Sequence, residues 1–263
     1  MLTESQVAHF KTFGFLVLRQ LFSPGELGII RAEFDASFES AYAHEPFDGT
    51  RRYWVPMMGP RTPFFARLLE DVRFCTVAEQ LYGEDVIGAV VDANRYVGST
   101  DWHPDTAGQE QYGVKFPFYL QPVGAESGAL RVIPGSHLEP LHSSLREDLK
   151  GLGLDIRDVP AHVCMTEPGD VVAFDVRLWH ASYGGSKDRH MGVLVYYNNP
   201  KTAEQERATR ETGKGNAKVP VSFNIPSERL YHPEWLANPD RNLKRQQWID
   251  RMRELDFFEH IEL

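Results

Sequence analysis

Apolar residues change their spacing near residue 85, and the change divides the chain. Before it the period is helical. Thr3, followed three positions later by Gln6, forms a capping-box pattern ahead of Val7, Phe10 and Phe13, which predicts a first helix ended by Gly14. Phe15-Leu16-Val17-Leu18 is a short apolar run of the kind that forms a buried strand. Ser23-Pro24 supplies an N-cap with proline at the first helical position, and Leu27, Ile30, Ala32, Phe34 and Phe38 continue as an amphipathic helix. Phe65, Leu68, Leu69, Val72 and Val77 predict a further helix from Pro63 to Tyr82, closed by Gly83. Between these helices, residues 44–63 carry proline, glycine, arginine and aromatics without periodicity, which predicts a long loop.

From Val86 onward the runs are short, β-like and separated by Gly/Pro turns: 86–91, 112–120, 128–133, 159–165, 170–174 and 192–197. Strands at that spacing predict a sandwich or barrel. A segment from 134 to 158, partly helical over Leu145–Gly153, interrupts them. Residues 200–218 are polar, mixed in charge and free of large apolar side chains, so the expectation is a mobile surface segment. Pro233–Leu236 and Leu243–Phe258 recover enough apolar residues, Trp235, Trp248, Ile249, Met252, Leu255 and Phe257, to dock a C-terminal helix. The fold class is therefore mainly β with helices, α+β. We expect a single domain over 1–263, with a helical region at 1–85, a β core at 86–200 and an extension at 201–263.

Composition narrows the partners. With 42% hydrophobic and 25% charged residues, the 263-residue chain is a globular protein able to bury a sizeable core. A net charge of −9, with no Lys/Arg-rich run, argues against nucleic acid. Cys75 and Cys164 stand far apart and offer neither a disulfide framework nor a thiolate zinc site, which fits a reducing cytoplasm. Neither a secretory leader nor an apolar run of roughly 18 residues is expected to place the chain in a membrane. A homo-oligomer stays open.

The candidate chemistry centres on Asp101-Trp102-His103-Pro104-Asp105. On an extended strand His103 and Asp105 point to one face, because strand side chains alternate with a period of two. His180, in Leu178-Trp179-His180-Ala181-Ser182, is the best candidate for a third ligand. Two imidazoles and one carboxylate on one face of an ion leave the other face open, the ligand set of non-haem Fe(II) oxygenases. The bland alternatives are a surface turn with a His-Asp hydrogen bond and a packed or exposed His180. Arg189 opens the next strand and can present a guanidinium fork to a dicarboxylate, or serve as an ordinary strand-end charge. Asn94 and Lys115, on strands flanking the HxD segment, face the co-substrate or make strand-end hydrogen bonds. Arg51, Arg52, Tyr53, Trp54, Trp102 and Tyr119 are candidate pocket walls for a small-molecule substrate, with the arginines suiting an acidic or phosphorylated one.

Several segments resemble the phytanoyl-CoA dioxygenase family of Fe(II)/2-oxoglutarate oxygenases. They are Phe10 to Leu18 with the Phe22-Ser23-Pro24 helix start, the HxD at 103–105, the run Glu126 to His137, and His180 with Ser182 and Arg189. The resemblance covers roughly residues 4–200, and Gly128 to His137 is its most specific part. It implies a double-stranded β-helix (a cupin-like jelly roll) with added helices, and His103, Asp105 and His180 as iron ligands. It also implies Arg189, helped by Ser182, on the distal carboxylate of 2-oxoglutarate, with O2 as the oxidant. Many members place that arginine farther from the distal histidine than the nine positions found here. His137 is read as shaping a turn. Hydroxylation of a C–H bond is expected rather than halogenation, because Asp105 fills the position a halide would need; desaturation or ring chemistry would use the same ligands. The other readings are a catalytically silent jelly-roll protein that binds a metal or ligand, and a metal enzyme that does without 2-oxoglutarate.

Overall fold

A computed structural model describes residues 1–106, 108–151, 155–185 and 187–260. In chain order the elements are α1 (Glu4–Phe13), β1 (Phe15–Leu18), α2 (Pro24–Ala41), β2 (Tyr53–Pro56), α3 (Pro63–Leu68), α4 (Cys75–Tyr82), β3 (Val86–Tyr96), β4 (Thr100–His103), β5 (Gly113–Tyr119), β6 (Ser127–Val132), α5 (Leu141–Gly151), β7 (His162–Cys164), β8 (Val171–Asp175), β9 (His180–Gly184), β10 (Arg189–Asn198), α6 (Ala203–Asn216), α7 (Val219–Ser222), α8 (Pro233–Ala237) and α9 (Leu243–Glu254). The strands form two antiparallel sheets, ordered β1-β8-β5-β10-β3-β2 and β4-β9-β6-β7. This is the expected α+β jelly roll. Both predicted capping boxes form, Thr3 with Gln6 and Ser23 with Glu26, so short-range hydrogen bonding sets the starts of α1 and α2.

Three expectations are corrected. The stretch 44–63 is not a loop throughout, because β2 pairs with β3 in the register Tyr53↔Arg95 and Trp54↔Asn94. Tyr53, Trp54 and Val55 are all buried, so the alternation that marks a half-exposed strand is missing. The helix predicted over 63–82 is two helices. Asp71 closes the turn between them: its carbonyl accepts from the Phe74 and Cys75 amides, and its carboxylate pairs with Arg73 at 2.6 Å. Residues 203–216 form a helix, with the Thr202 hydroxyl accepting from the Gln205 amide at 3.3 Å. That helix lacks large apolar residues because small ones face the body. A Cβ on Gly213 would stand 2.3 Å from the Phe257 carbonyl oxygen, so the close approach requires glycine. The partly helical stretch expected over Leu145–Gly153 is observed as α5, ending at Gly151; Leu152 and Gly153 lie outside the described residues.

The larger core runs from Phe10 to Phe258 between the six-stranded sheet and the helices. The predicted C-terminal helix docks on it. Trp248 lies against Gly88, where a Cβ would stand 2.7 Å from its ring, and its indole N–H donates to the Val86 carbonyl at 2.8 Å. Beside it Arg245 and Glu70 form a buried ion pair, with Nη2 donating to Oε2 at 2.9 Å. Truncating one member of such a pair strands the other charge without water. Glu70→Ala is therefore expected to destabilise the protein by about 3–5 kcal/mol, read as a lower urea midpoint, whereas Glu70→Ala with Arg245→Met recovers most of the loss.

Candidate metal centre and co-substrate pocket

Two neighbouring strands of the four-stranded sheet, β4 and β9, bring the three candidate ligands together. β4 ends at His103, which sits opposite His180, the first residue of β9. Asp105 lies beyond the end of β4, so strand alternation alone does not aim it. Its amide donates to the Val176 carbonyl at 2.9 Å, and that bond to the segment after β8 holds the carboxylate in place. One donor atom from each of His103, Asp105 and His180 lies within 4.8 Å of the others, close enough to hold a metal ion.

Backbone carbonyls choose the histidine tautomers. Nδ1 of His103 is 2.7 Å from the Asp101 carbonyl oxygen, and Nδ1 of His180 is 2.9 Å from that of Leu178. A carbonyl only accepts, so each Nδ1 carries the proton and each Nε2 lone pair is free for an ion. Burial holds the His180 imidazole neutral, its pKa lowered to about 4 against the opposing pull of Asp105. Burial works against Asp105 ionising, but the Lys115 ammonium 3.0 Å away, followed by the two imidazoles, outweighs it and brings that carboxyl down to about 2. His180 and Asp105 therefore reach neutral pH already deprotonated.

This has a measurable consequence in metal-free protein. A histidine held neutral by folding protonates first in the unfolded chain, so stability is complete above pH 6.5 and falls as pH drops toward 4. Asp105 acts below that window, its contribution fading from pH 3.8 toward 2. Denaturation midpoints should show a loss on the order of 2–3 kcal/mol between pH 6.5 and 4 that His180→Asn removes.

Above the triad lies a cavity of about 230 Å³. Arg189 enters it from the first position of β10 and is 2% exposed. Its Nη2 donates to the Ser182 hydroxyl at 3.3 Å, while Nε and Nη1 have no hydrogen-bond partner among the described residues. A buried guanidinium with two unused donors is costly unless a ligand takes them. Gly128 (φ 88°) makes room for it: a Cβ there would stand 1.6 Å from Nη1. The donor set thus suits a divalent ion, and the unpartnered guanidinium suits the far carboxylate of 2-oxoglutarate.

The other expected residues divide. Tyr119 and Arg52 line the cavity, with burial pushing the Tyr119 phenol up to about 12. Lys115 lines it too, but its partner is Asp105. Asn94 is buried behind the wall, its side-chain oxygen accepting from Arg52 at 2.9 Å and 2.6 Å. Arg51 turns to Glu45 at 2.9 Å; Tyr53 and Trp54 belong to the core, and Trp102 is half-buried outside the lining. His137 packs where Gly14 (φ 82°) lacks a side chain, with Nε2 3.3 Å from the Lys11 carbonyl oxygen, in keeping with a turn-shaping role. Sequence reasoning missed Tyr96 and Asp92. Both share the face of β3 that Asn94 occupies, so reading Asp92, Asn94 and Tyr96 at period two would have found them.

No curated protein matches the chain. Among solved structures, EvdO2 from Micromonospora carbonacea var. aurantiaca complexed with 2-oxoglutarate is 19% identical with a TM-score of 0.57, covering 75% of this chain and 91% of that one. The carbocyclase SnoK of nogalamycin biosynthesis is 21% identical at a TM-score of 0.58, covering 75% and 85%. The epimerase SnoN in complex with Fe3+, alpha ketoglutarate and nogalamycin RO is 18% identical at 0.57, covering 74% and 82%. At these identities the likeness is one of fold. The family model for phytanoyl-CoA dioxygenase (PhyH) matches residues 10–191, from α1 through all three candidate ligands to Arg189 and Met191, and on that match the chain belongs to the phytanoyl-CoA dioxygenase family of Fe/2-oxoglutarate-dependent oxygenases.

Proposed function

We propose that this protein is a non-haem Fe(II)- and 2-oxoglutarate-dependent dioxygenase that hydroxylates a C–H bond of a small-molecule metabolite. The observation that carries the reading is Arg189, a buried guanidinium with two unused donors in the cavity that the ligand triad floors. His103, Asp105 and His180 would hold the iron. Bound there, iron with 2-oxoglutarate and O2 supplies the oxidation, and 2-oxoglutarate leaves as succinate and CO2. The chain's own part is orientation and electrostatics. His103 and His180 offer neutral lone pairs at Nε2, fixed by carbonyls at Nδ1. Lys115 keeps the Asp105 carboxylate ionised through their 3.0 Å contact, and Ser182 steadies Arg189. Phe174 and Leu130 in the wall limit water around the reacting carbon. The unit responsible is the whole chain, whose extension packs on the same core as the helical region.

Anaerobic addition of Fe(II) and 2-oxoglutarate tests this. A metal-to-ligand charge-transfer band should appear and, with O2 and substrate, give way to succinate and a product one oxygen heavier. No band in folded protein would sink the oxygenase reading and favour a silent jelly-roll binder. A second reaction type has support in the neighbours, since SnoK is described as a carbocyclase and SnoN as an epimerase. Succinate formation with a product of unchanged oxygen content would point to that chemistry on the same site.

A further inference from the structure

Arg52 lies at the last position before β2 and lines the same cavity as Arg189, whose guanidinium lies 5.0 Å from the centroid of the Tyr96 ring between them on the sheet. Its guanidinium carbon lies over two rings, 4.1 Å from the Tyr96 centroid and 5.3 Å from that of Phe223. Phe223 follows α7 in the C-terminal extension and stacks on Trp54 at 5.7 Å, so the lid on this arginine is itself anchored in the core. Both Nε and Nη2 donate to one acceptor, the amide oxygen of Asn94, and the Asn94 amide group in turn donates to the Asp92 carboxylate at 2.7 Å. The partner that touches Arg52 is thus neutral, with the nearest carboxylate one residue further along the chain of hydrogen bonds. Arg95 and Arg73 by contrast pair directly with carboxylates, those of Asp188 and Asp71. Here the planar fork is oriented, stacked and left with its charge unspent toward the cavity.

Charge counting in the cavity leads the same way. Among the described residues, Arg52, Lys115 and Arg189 are its cations and Asp105 its one lining carboxylate, with Asp92 behind. Resting on the oxygenase reading above, Fe(II) and dianionic 2-oxoglutarate cancel each other. The loaded cavity then holds one positive charge in excess even with Asp92 ionised. A neutral or cationic substrate would leave that charge, carried in part by the half-buried Arg52, without compensation, whereas a monoanion balances it. We propose that Arg52 binds an anionic group, a carboxylate or a phosphate, of the substrate, and so selects acidic metabolites and fixes which carbon faces the metal.

The probes are inorganic phosphate, acetate and acetamide, the last being neutral and similar in shape to acetate. Each is titrated into protein holding Zn(II) and 2-oxoglutarate, with tryptophan fluorescence as the signal because Trp54 stacks on the ring that covers Arg52. Phosphate or acetate should give a saturable change, the stronger of the two identifying the group, and acetamide none. Arg52→Gln should weaken that binding roughly tenfold or more, the loss expected when a charged hydrogen-bond donor is removed. Arg52→Lys should restore part of it, and Arg61→Gln, an outer-surface arginine paired with Glu228, should bind as wild type. Equal anion binding by wild type and Arg52→Gln, an equal response to acetamide, or no response in wild type overturns the proposal. The oxygenase reading is scored separately by the Fe(II) charge-transfer band, so either can fail while the other stands.

Discussion

His180→Ala is expected to abolish Fe(II)-dependent succinate formation, with a loss of at least about a thousandfold, while the protein stays folded. The size follows from what the residue does in the proposed site. It supplies one of three donors, and two donors, His103 and Asp105, leave a divalent ion exposed to exchange with solvent. Its ring packs 4.3 Å from that of His103 and 4.7 Å from that of Phe174, so alanine leaves a gap, but the β9 backbone pairing with β4 and β6 does not depend on it. Circular dichroism should therefore be nearly unchanged, and equilibrium dialysis should show iron uptake lost. If His180→Ala binds iron as wild type does, the ion sits elsewhere and the triad is structural.

The second large effect is at Arg189. Arg189→Gln removes the charge and the fork but keeps a polar, though shorter, side chain. Because two of the guanidinium nitrogens have no hydrogen-bond partner among the described residues, their removal costs the free protein little and the 2-oxoglutarate complex much. The apparent KM for 2-oxoglutarate should rise roughly a hundredfold, the equivalent of about 3 kcal/mol for a buried charge-assisted pair, with iron affinity held within about twofold. Denaturation midpoints should hold or rise, since an unpartnered buried charge has been removed. A parallel loss of iron and 2-oxoglutarate binding would instead indicate that the start of β10 has shifted against β9 in the other sheet.

How much of this could be read from residues alone varied with the physics that fixes each part. The starts of α1 and α2 were legible because capping is a contact between residues three apart, and the β runs because strands buried on both sides are apolar without interruption. The stretch at β2 was not, since its pairing with β3 joins residues some forty positions apart and no local pattern records the partner. The helix at 203–216 was missed for a similar reason: its buried face is built from Thr209 and Gly213, which are indistinguishable in sequence from a polar linker until Phe257 lies against them. In the site, the HxD and His180 were legible from residue type and order. That Arg52 rather than Arg51 would face the cavity was not, because it depends on which way β2 turns at its first residue and on Glu45 capturing Arg51.

The placement of Phe223 carries a consequence for how such an enzyme diversifies. The family match ends at residue 191, while the ring that covers Arg52 comes from beyond it, held by its own carbonyl accepting from the Tyr42 hydroxyl at 3.2 Å and by stacking on Trp54. The triad's geometry is set by β4, β9 and the turn after β8, none of which contains that segment. Exchange of the region around 219–225 can therefore alter which molecules are admitted without resetting the oxidation machinery, which makes the extension the natural place to graft a new specificity onto an unchanged catalyst.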